Sequence, residues 1–109
     1  MSSLKKYEVM WSENAEKDLE KIVKYIAAES PQTARRALKN IKKHVADLYF
    51  YPEKCQIVPE LYKQGITQYR EVIVAPWRVL YRVSDKQIVI LALFDSRQNI
   101  EDVLLSRLI

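Results

Sequence analysis

The sequence is poor in the residues on which several classes of site depend. Its one cysteine, Cys55, cannot form an internal disulfide or a thiolate cluster. Its one histidine, His44, leaves few options for a metal site or a histidine-based triad. Its one glycine, Gly65, is too few for phosphate-binding loops, which need several glycines for close backbone approach. We therefore expect no metal and no cofactor.

Long apolar runs are also missing. No run approaches the ~18 apolar residues that span a bilayer, and the first residues of the chain reach Glu8 before any apolar segment of an export signal. We expect a cytoplasmic protein with no membrane partner. The 109 residues and the 49% hydrophobic content are typical of one globular domain, residues 1–109.

The positive charge is unevenly distributed. The net charge is +4, and residues 31–50 alone carry five Lys or Arg against one Asp, whereas residues 1–30 have a net charge of −1. A local positive field favours a nucleic acid or an acidic protein as partner. The alternative is a solvated helix face, because exposed helix faces are normally charged.

The first half of the chain predicts a strand and a helical hairpin. Residues 6–11 are rich in aromatic and β-branched residues and predict a short strand. Ser12 then caps a first helix running to about Ala28, and Ser30-Pro31 starts a second helix that stops before Pro52. Both helices have one apolar stripe, so we expect an antiparallel pair joined by one or two residues.

The second half predicts a sheet. Residues 52–68 have no clean period and indicate an irregular connection, with a short strand near Ile57–Val58. Three strands follow at 69–74, 77–83 and 87–94, separated by turns short enough to demand antiparallel hairpins. A short helix capped by Asn99 ends the chain. The fold class is α+β, two-layer, in the order β-α-α-β-β-β with a short C-terminal helix.

The strand arginines are the strongest candidates for a site. Alternation on the middle strand places Arg78 and Arg82 on one face, roughly 13 Å apart, and Arg97 follows the next strand. A guanidinium on a rigid strand suits phosphate or a carboxylate of a partner. The alternative is pairing within the sheet, with Glu71, Asp85 or Asp95.

The facing of Arg70 depends on the turn at Ala75-Pro76. A strict two-residue turn turns Arg70 toward the helices and puts Glu71 beside Arg78, whereas one extra residue reverses this. Trp77 and Tyr81 alternate with the arginines, where aromatic side chains either stack on bases or belong to the core.

These segments resemble the RelE/ParE family of toxins from bacterial type II toxin–antitoxin systems. The resemblance is carried by residues 69–83 (YREVIVAPWRVLYRV), by 88–94 with the following DSRQ, and by the opening WSENA at 11–15 with Ser30-Pro31. It covers nearly the whole chain and implies the fold of that family. It also implies a cognate antitoxin as partner in a hetero-oligomer.

The resemblance implies one of two activities. RelE-like members cleave mRNA at the ribosomal A site with Lys and Arg side chains and often a late Tyr, whereas ParE-like members inhibit DNA gyrase. Here Arg78 and Arg97 match arginines of the RelE type and would be catalytic only in a ribonuclease, and Arg70 lies near a lysine position. No tyrosine follows Arg97, and an always-charged arginine is a poor proton carrier. The end of the chain, from Ser96 to Leu104, is more similar to ParE.

The resemblance thus favours a ParE-like toxin that binds gyrase. The ribosome-dependent mRNA endonuclease is the alternative, and a degenerate toxin that only binds its antitoxin is a third hypothesis. The residues expected to contact the target or the antitoxin are Arg70, Trp77, Arg78, Tyr81, Arg82 and Arg97.

Overall fold

The computed structural model describes residues 7–108, without the side chains of residues 105, 106 and 108. Lys6, which the first predicted strand included, lies outside the described residues. The elements are β1 (Glu8–Trp11), α1 (Glu13–Ala27), α2 (Pro31–Asp47), α3 (Pro59–Tyr62), β2 (Tyr69–Val74), β3 (Trp77–Ser84), β4 (Gln87–Asp95) and α4 (Ile100–Leu108). The predicted α+β fold and the predicted order of its elements are confirmed.

The strands form one four-stranded sheet in the order β1-β4-β3-β2. β2, β3 and β4 pair antiparallel as consecutive hairpins, and β1 adds to the free edge of β4 in parallel. Between β2 and β3, Val74 pairs with Trp77 and Ile73 with Arg78, so Ala75-Pro76 is a strict two-residue turn. Its peptide bond is cis.

The helical hairpin forms as the capping residues predict. The Ser12 hydroxyl accepts a hydrogen bond from the Ala15 N–H at 3.0 Å, and the Ser30 hydroxyl accepts one from the Thr33 N–H at 3.2 Å. Each bond satisfies one of the free N–H groups at a helix start. The connection between α1 and α2 spans residues 28–30, so the expectation of one or two linking residues was one residue short.

The main core lies between this hairpin and one face of the sheet. The apolar stripes of α1 and α2 pack on alternating residues of the strands, as the helical and strand periods require. The buried members from the helices are Ala15, Leu19, Ile22, Ile41 and Val45, and those from the sheet are Val72, Val74, Val79, Tyr81, Ile88, Ile90 and Leu93.

The other face of the sheet is also covered. The connection before β2 contains the short helix α3, where the sequence predicted irregular structure, and the predicted strand near Ile57–Val58 is a single bridge between Ile57 and Arg70. α3 and α4 form a second apolar cluster with the centre of the sheet, built from Val58, Leu61, Leu80, Ala92, Phe94, Ile100 and Leu104. Because β4 is apolar on both faces, it requires cover on both. None of the helices within residues 7–108 is long and apolar enough to cross a membrane.

Candidate functional site

Arg78 is the centre of a charged cluster on the second face of the sheet. Its guanidinium donates two hydrogen bonds to the Glu60 carboxylate, at 2.8 and 2.9 Å, and its Nε donates one to Glu71 Oε1 at 2.7 Å. The guanidinium carbon lies 5.3 Å from the centre of the Phe94 ring. Arg78 is only 8% exposed, so its donors face protein rather than solvent.

Two carboxylates from two different elements bind this guanidinium. Glu71 is 2% exposed, lies on the neighbouring strand β2, and also accepts a hydrogen bond from the Gln56 amide. Glu60 comes from α3, and its side chain is 37% exposed. Hydrogen bonding to Arg78 lowers the pKa of Glu60, and hydrogen bonding to Glu60 raises the pKa of Arg78. Glu60 and Arg78 are therefore both charged near neutral pH.

The strict turn fixes which arginine meets which partner. It places Glu71 beside Arg78, and it turns Arg70 to the face of Tyr81 and the helical hairpin, as the two-residue alternative predicted. Arg70 donates to the Cys55 carbonyl at 2.5 Å. The type of residue alone left two roles equally open for Arg78, an ion pair within the sheet or a contact with a partner. In the structure Arg78 pairs with Glu71.

Tyr81 is fully buried in the main core, with 0% exposure. Its hydroxyl donates to the Pro52 carbonyl, and burial raises its pKa. Tyr81 was expected to contact a partner, but its side chain is not exposed in this structure. Large aromatic residues at alternating strand positions fill the core because they bury the most apolar area.

The remaining predicted contact residues lie apart. Trp77 is half-buried against the main core at the β2–β3 turn, and Arg82 is exposed on the opposite face of β3. Arg97 is 87% exposed and forms a fork with Asp95, with bonds of 2.9 and 2.7 Å. Hydrogen bonds from Arg97 lower the pKa of Asp95 to about 2. The six predicted residues thus occupy both faces of the sheet and do not form one patch.

Sequence reasoning missed Glu60, because residues 52–68 show no period. The signal was local: Pro59 at the first helical position with Glu60 in the first turn is typical of a helix start. It also missed the bond from Arg107 on α4 to Asp18 on α1, at 2.8 and 2.9 Å. Those two residues are 89 positions apart, and no local pattern connects them.

The part of the chain from Tyr7 to Leu108 holds no group of three or more His, Cys, Asp or Glu that could bind a metal ion. The charged cluster offers carboxylates, but both are engaged by Arg78. Its chemistry is that of a closed ion pair network, which holds α3, β2 and β3 together.

A family model described as the ParE toxin of the type II toxin–antitoxin system parDE matches residues 9–100. The chain belongs to this family. The match runs from β1 to the start of α4 and so includes the helical hairpin and all of the sheet except Glu8. The resemblance to RelE/ParE toxins is confirmed.

Solved structures show the same fold. A chain of the chromosomal ParDE system from P. aeruginosa superimposes with a TM-score of 0.65 at 23% identity, covering 82% of this ParE-family chain and 95% of that chain. A chain of the toxin–antitoxin complex RelBE2 from Mycobacterium tuberculosis gives a TM-score of 0.60 at 21% identity, covering 83% and 98%. No curated protein sequence matches. Because both identities are low, these two structures bear on the fold and do not separate gyrase inhibition from mRNA cleavage.

Proposed function

We propose that this ParE-family toxin inhibits DNA gyrase by binding it and is neutralised by a cognate antitoxin. The observation that carries the proposal is the occupation of Arg78. The arginine that would hold a phosphate in a ribonuclease already has both carboxylates of Glu60 and Glu71 on its donors. A phosphate would have to displace Glu60 from Arg78, and it would bring further negative charge close to the buried Glu71 carboxylate.

Within residues 7–108, Tyr81 and His44, two groups that could transfer a proton, do not lie beside this arginine. Tyr81 is buried on the opposite face of the sheet with a raised pKa, and Asp95 holds Arg97 in its charged form by raising its pKa. His44 lies on α2, which packs on the helical face, and its Nδ1 is 2.9 Å from the Asn40 carbonyl. General acid–base catalysis needs a group that exchanges a proton near neutral pH, and this arrangement favours action by binding.

The contacts that we propose for gyrase or antitoxin use the exposed members of the predicted set. Arg82 and Arg97 present their side chains to solvent, and Trp77 is partly accessible at the β2–β3 turn. Arg70, Arg78 and Tyr81 would act in this scheme by holding the sheet and its connection in place.

The second candidate is ribosome-dependent mRNA cleavage. It is favoured by the exposure of Arg97, whose pairing with Asp95 is local and open to solvent. An exposed ion pair of this kind is worth little and can be exchanged for a phosphate.

The test is a supercoiling assay with purified toxin and gyrase, beside relaxation by topoisomerase I as the control enzyme. We expect loss of supercoiling at a stoichiometric excess of toxin, with relaxation unaffected, and a weaker effect for Arg82→Ala and Arg97→Ala. Supercoiling that continues at excess toxin would contradict the proposal. Primer extension on mRNA from expressing cells, with A-site cuts lost in Arg97→Ala, would replace it by the ribonuclease. Unimpaired growth with neither effect would leave a degenerate toxin.

A further inference from the structure

A groove lies between α2 and the β2–β3 turn, and we name it the α2–turn groove. Its volume is about 580 Å³. We call its apolar lining residues the floor, and Thr33 and Asn40 add two polar side chains to the lining. The floor consists of Ile26, Ala37, Ala75, Pro76 and Trp77. Trp77 is half-buried and packs against the main core. The groove is therefore a preformed apolar site.

The rim of the α2–turn groove is positive. Arg36, Lys39 and Lys43 line it and are all exposed. They stand at i, i+3 and i+7 of α2, which places them on one stripe. Like charges at these spacings destabilise an isolated helix. Within residues 7–108 no carboxylate lines the groove and none forms a salt bridge with these three cations.

A second groove on the same hairpin gives a direct comparison. It has a volume of about 400 Å³ and is lined by Trp11, Leu19, Val23, Leu38, Glu16, Glu20, Lys24 and Lys42. Two acidic and two basic side chains balance its charge, and Lys24 lies 3.5 Å from Glu20. The positive excess of the α2–turn groove is thus absent from this second groove on the same hairpin.

We propose that the α2–turn groove binds an acidic protein segment. One large apolar side chain of that segment packs on Trp77 and Ala37, and flanking carboxylates pair with Arg36, Lys39 and Lys43. We assign this segment to the antitoxin, and this assignment rests on the proposed function. The charge of the groove selects an anionic partner, and its apolar floor gives the anchor residue an area to bury.

A nucleic acid suits the α2–turn groove less well. Single strands bind where several exposed aromatic faces alternate with cations, because each base needs a face on which to stack. Here the floor has one aromatic residue, Trp77, among aliphatic side chains. Phosphates would neutralise the rim and leave the apolar floor without a partner.

The test uses a random dodecapeptide display library as the probe, selected on the immobilised full-length toxin. We expect enriched peptides with one Leu, Ile, Phe or Trp among several Asp or Glu. Their affinity, measured by fluorescence anisotropy, should fall roughly tenfold or more for Arg36→Glu/Lys39→Glu. It should stay close to the wild-type value for Lys24→Glu/Lys42→Glu, which makes the same change in net charge at the second groove. Far-UV circular dichroism checks that both double variants are folded.

Three outcomes would contradict an acidic-peptide site in the α2–turn groove. The library yields no enriched peptide, the enriched peptides lack acidic residues, or the peptides bind the two double variants with equally reduced affinity. Displacement of the selected peptides by a single-stranded DNA oligonucleotide at similar concentration would reassign the groove to nucleic acid. None of these measurements uses gyrase or growth, so a failed supercoiling assay leaves their result unchanged.

Discussion

At the scale of single residues, Arg78 shows how one contact changes the meaning of a sequence feature. A guanidinium on a rigid strand is a good ligand for phosphate, and the sequence presents Arg78 in that way. In the fold its Nη groups meet Glu60 and its Nε meets Glu71. Arg78 therefore links α3 to the sheet, and little of its guanidinium is exposed to solvent.

We predict that Arg78→Ala lowers the free energy of unfolding by about 3–5 kcal/mol, because it leaves the buried Glu71 carboxylate without a countercharge. Urea denaturation at neutral pH measures the change. Arg97→Ala is the matched control: its side chain is 87% exposed, and we expect almost no change in stability. Equal effects of the two substitutions would mean that the charged cluster contributes no more than a surface pair.

The outer carboxylate of the same cluster predicts a pH dependence. Hydrogen bonding to Arg78 lowers the pKa of Glu60, so acid titrates this group in the unfolded chain before the folded one. Its contribution is present above the unfolded pKa of about 4.3 and is lost as the pH falls through the folded value. Glu60→Gln should therefore lose less stability than the wild type on acidification from about pH 7 to about pH 3. The difference should be about 1 kcal/mol or less, since Glu60 is partly exposed. Parallel acid curves for the two proteins would contradict this role of Glu60.

At the scale of elements, the C-terminal helix α4 is joined to the rest of the fold by a polar contact as well as by apolar packing. Arg107 donates to Asp18 on α1 and, at 3.0 Å, to the Leu91 carbonyl. Leu91 is the extra residue of a bulge in β4, because Leu80 pairs with Ala92 and Tyr81 pairs with Ile90. The contact therefore binds three elements at the point where the sheet is irregular.

We predict that Arg107→Ala lowers the free energy of unfolding by about 1.5–3 kcal/mol, the range for hydrogen bonds to charged groups. Hydrogen exchange measured by mass spectrometry should be faster in the variant than in the wild type. The increase should be larger in α4 than in β3, since α4 loses its polar contact with α1. Arg107→Lys keeps the charge without the planar guanidinium, so its stability should lie between those of Arg107→Ala and the wild type. Unchanged protection of α4 in Arg107→Ala would show that apolar packing alone holds the helix.

At the scale of the whole molecule, β3 and β4 belong to both apolar clusters. Val79 faces the helical hairpin and Leu80 faces α3 and α4, and each has 0% exposure. One strand thus joins the two sides of the sheet. A loss of packing on either side is transmitted to the other through the same backbone.

We predict that Leu80→Ala lowers stability by about 2–5 kcal/mol and that unfolding stays a single transition. Tryptophan fluorescence reports the helical side through Trp11 and Trp77, which both pack against the main core, and far-UV circular dichroism reports the whole fold. Their urea curves should coincide in the variant as in the wild type. Two separated transitions would mean that α3 and α4 unfold as an independent unit.

Sequence patterns by themselves determined most of the architecture. The helical period of α1 and α2, the capping serines Ser12 and Ser30, and the alternation of β3 are local features, and the structure has each element within a few residues of its predicted bounds. The register of β2 on β3 is not among these features, because the sequence left the length of the Ala75-Pro76 turn open and the structure has a strict two-residue turn.

Only the tertiary structure decided what the charged residues do. Glu60 reaches Arg78 across 18 positions of chain, and Asp18 reaches Arg107 across 89. The α2–turn groove likewise forms only when α2 packs beside the β2–β3 turn. Such contacts depend on which elements meet in space, whereas a sequence pattern records only which neighbours along the chain share a face.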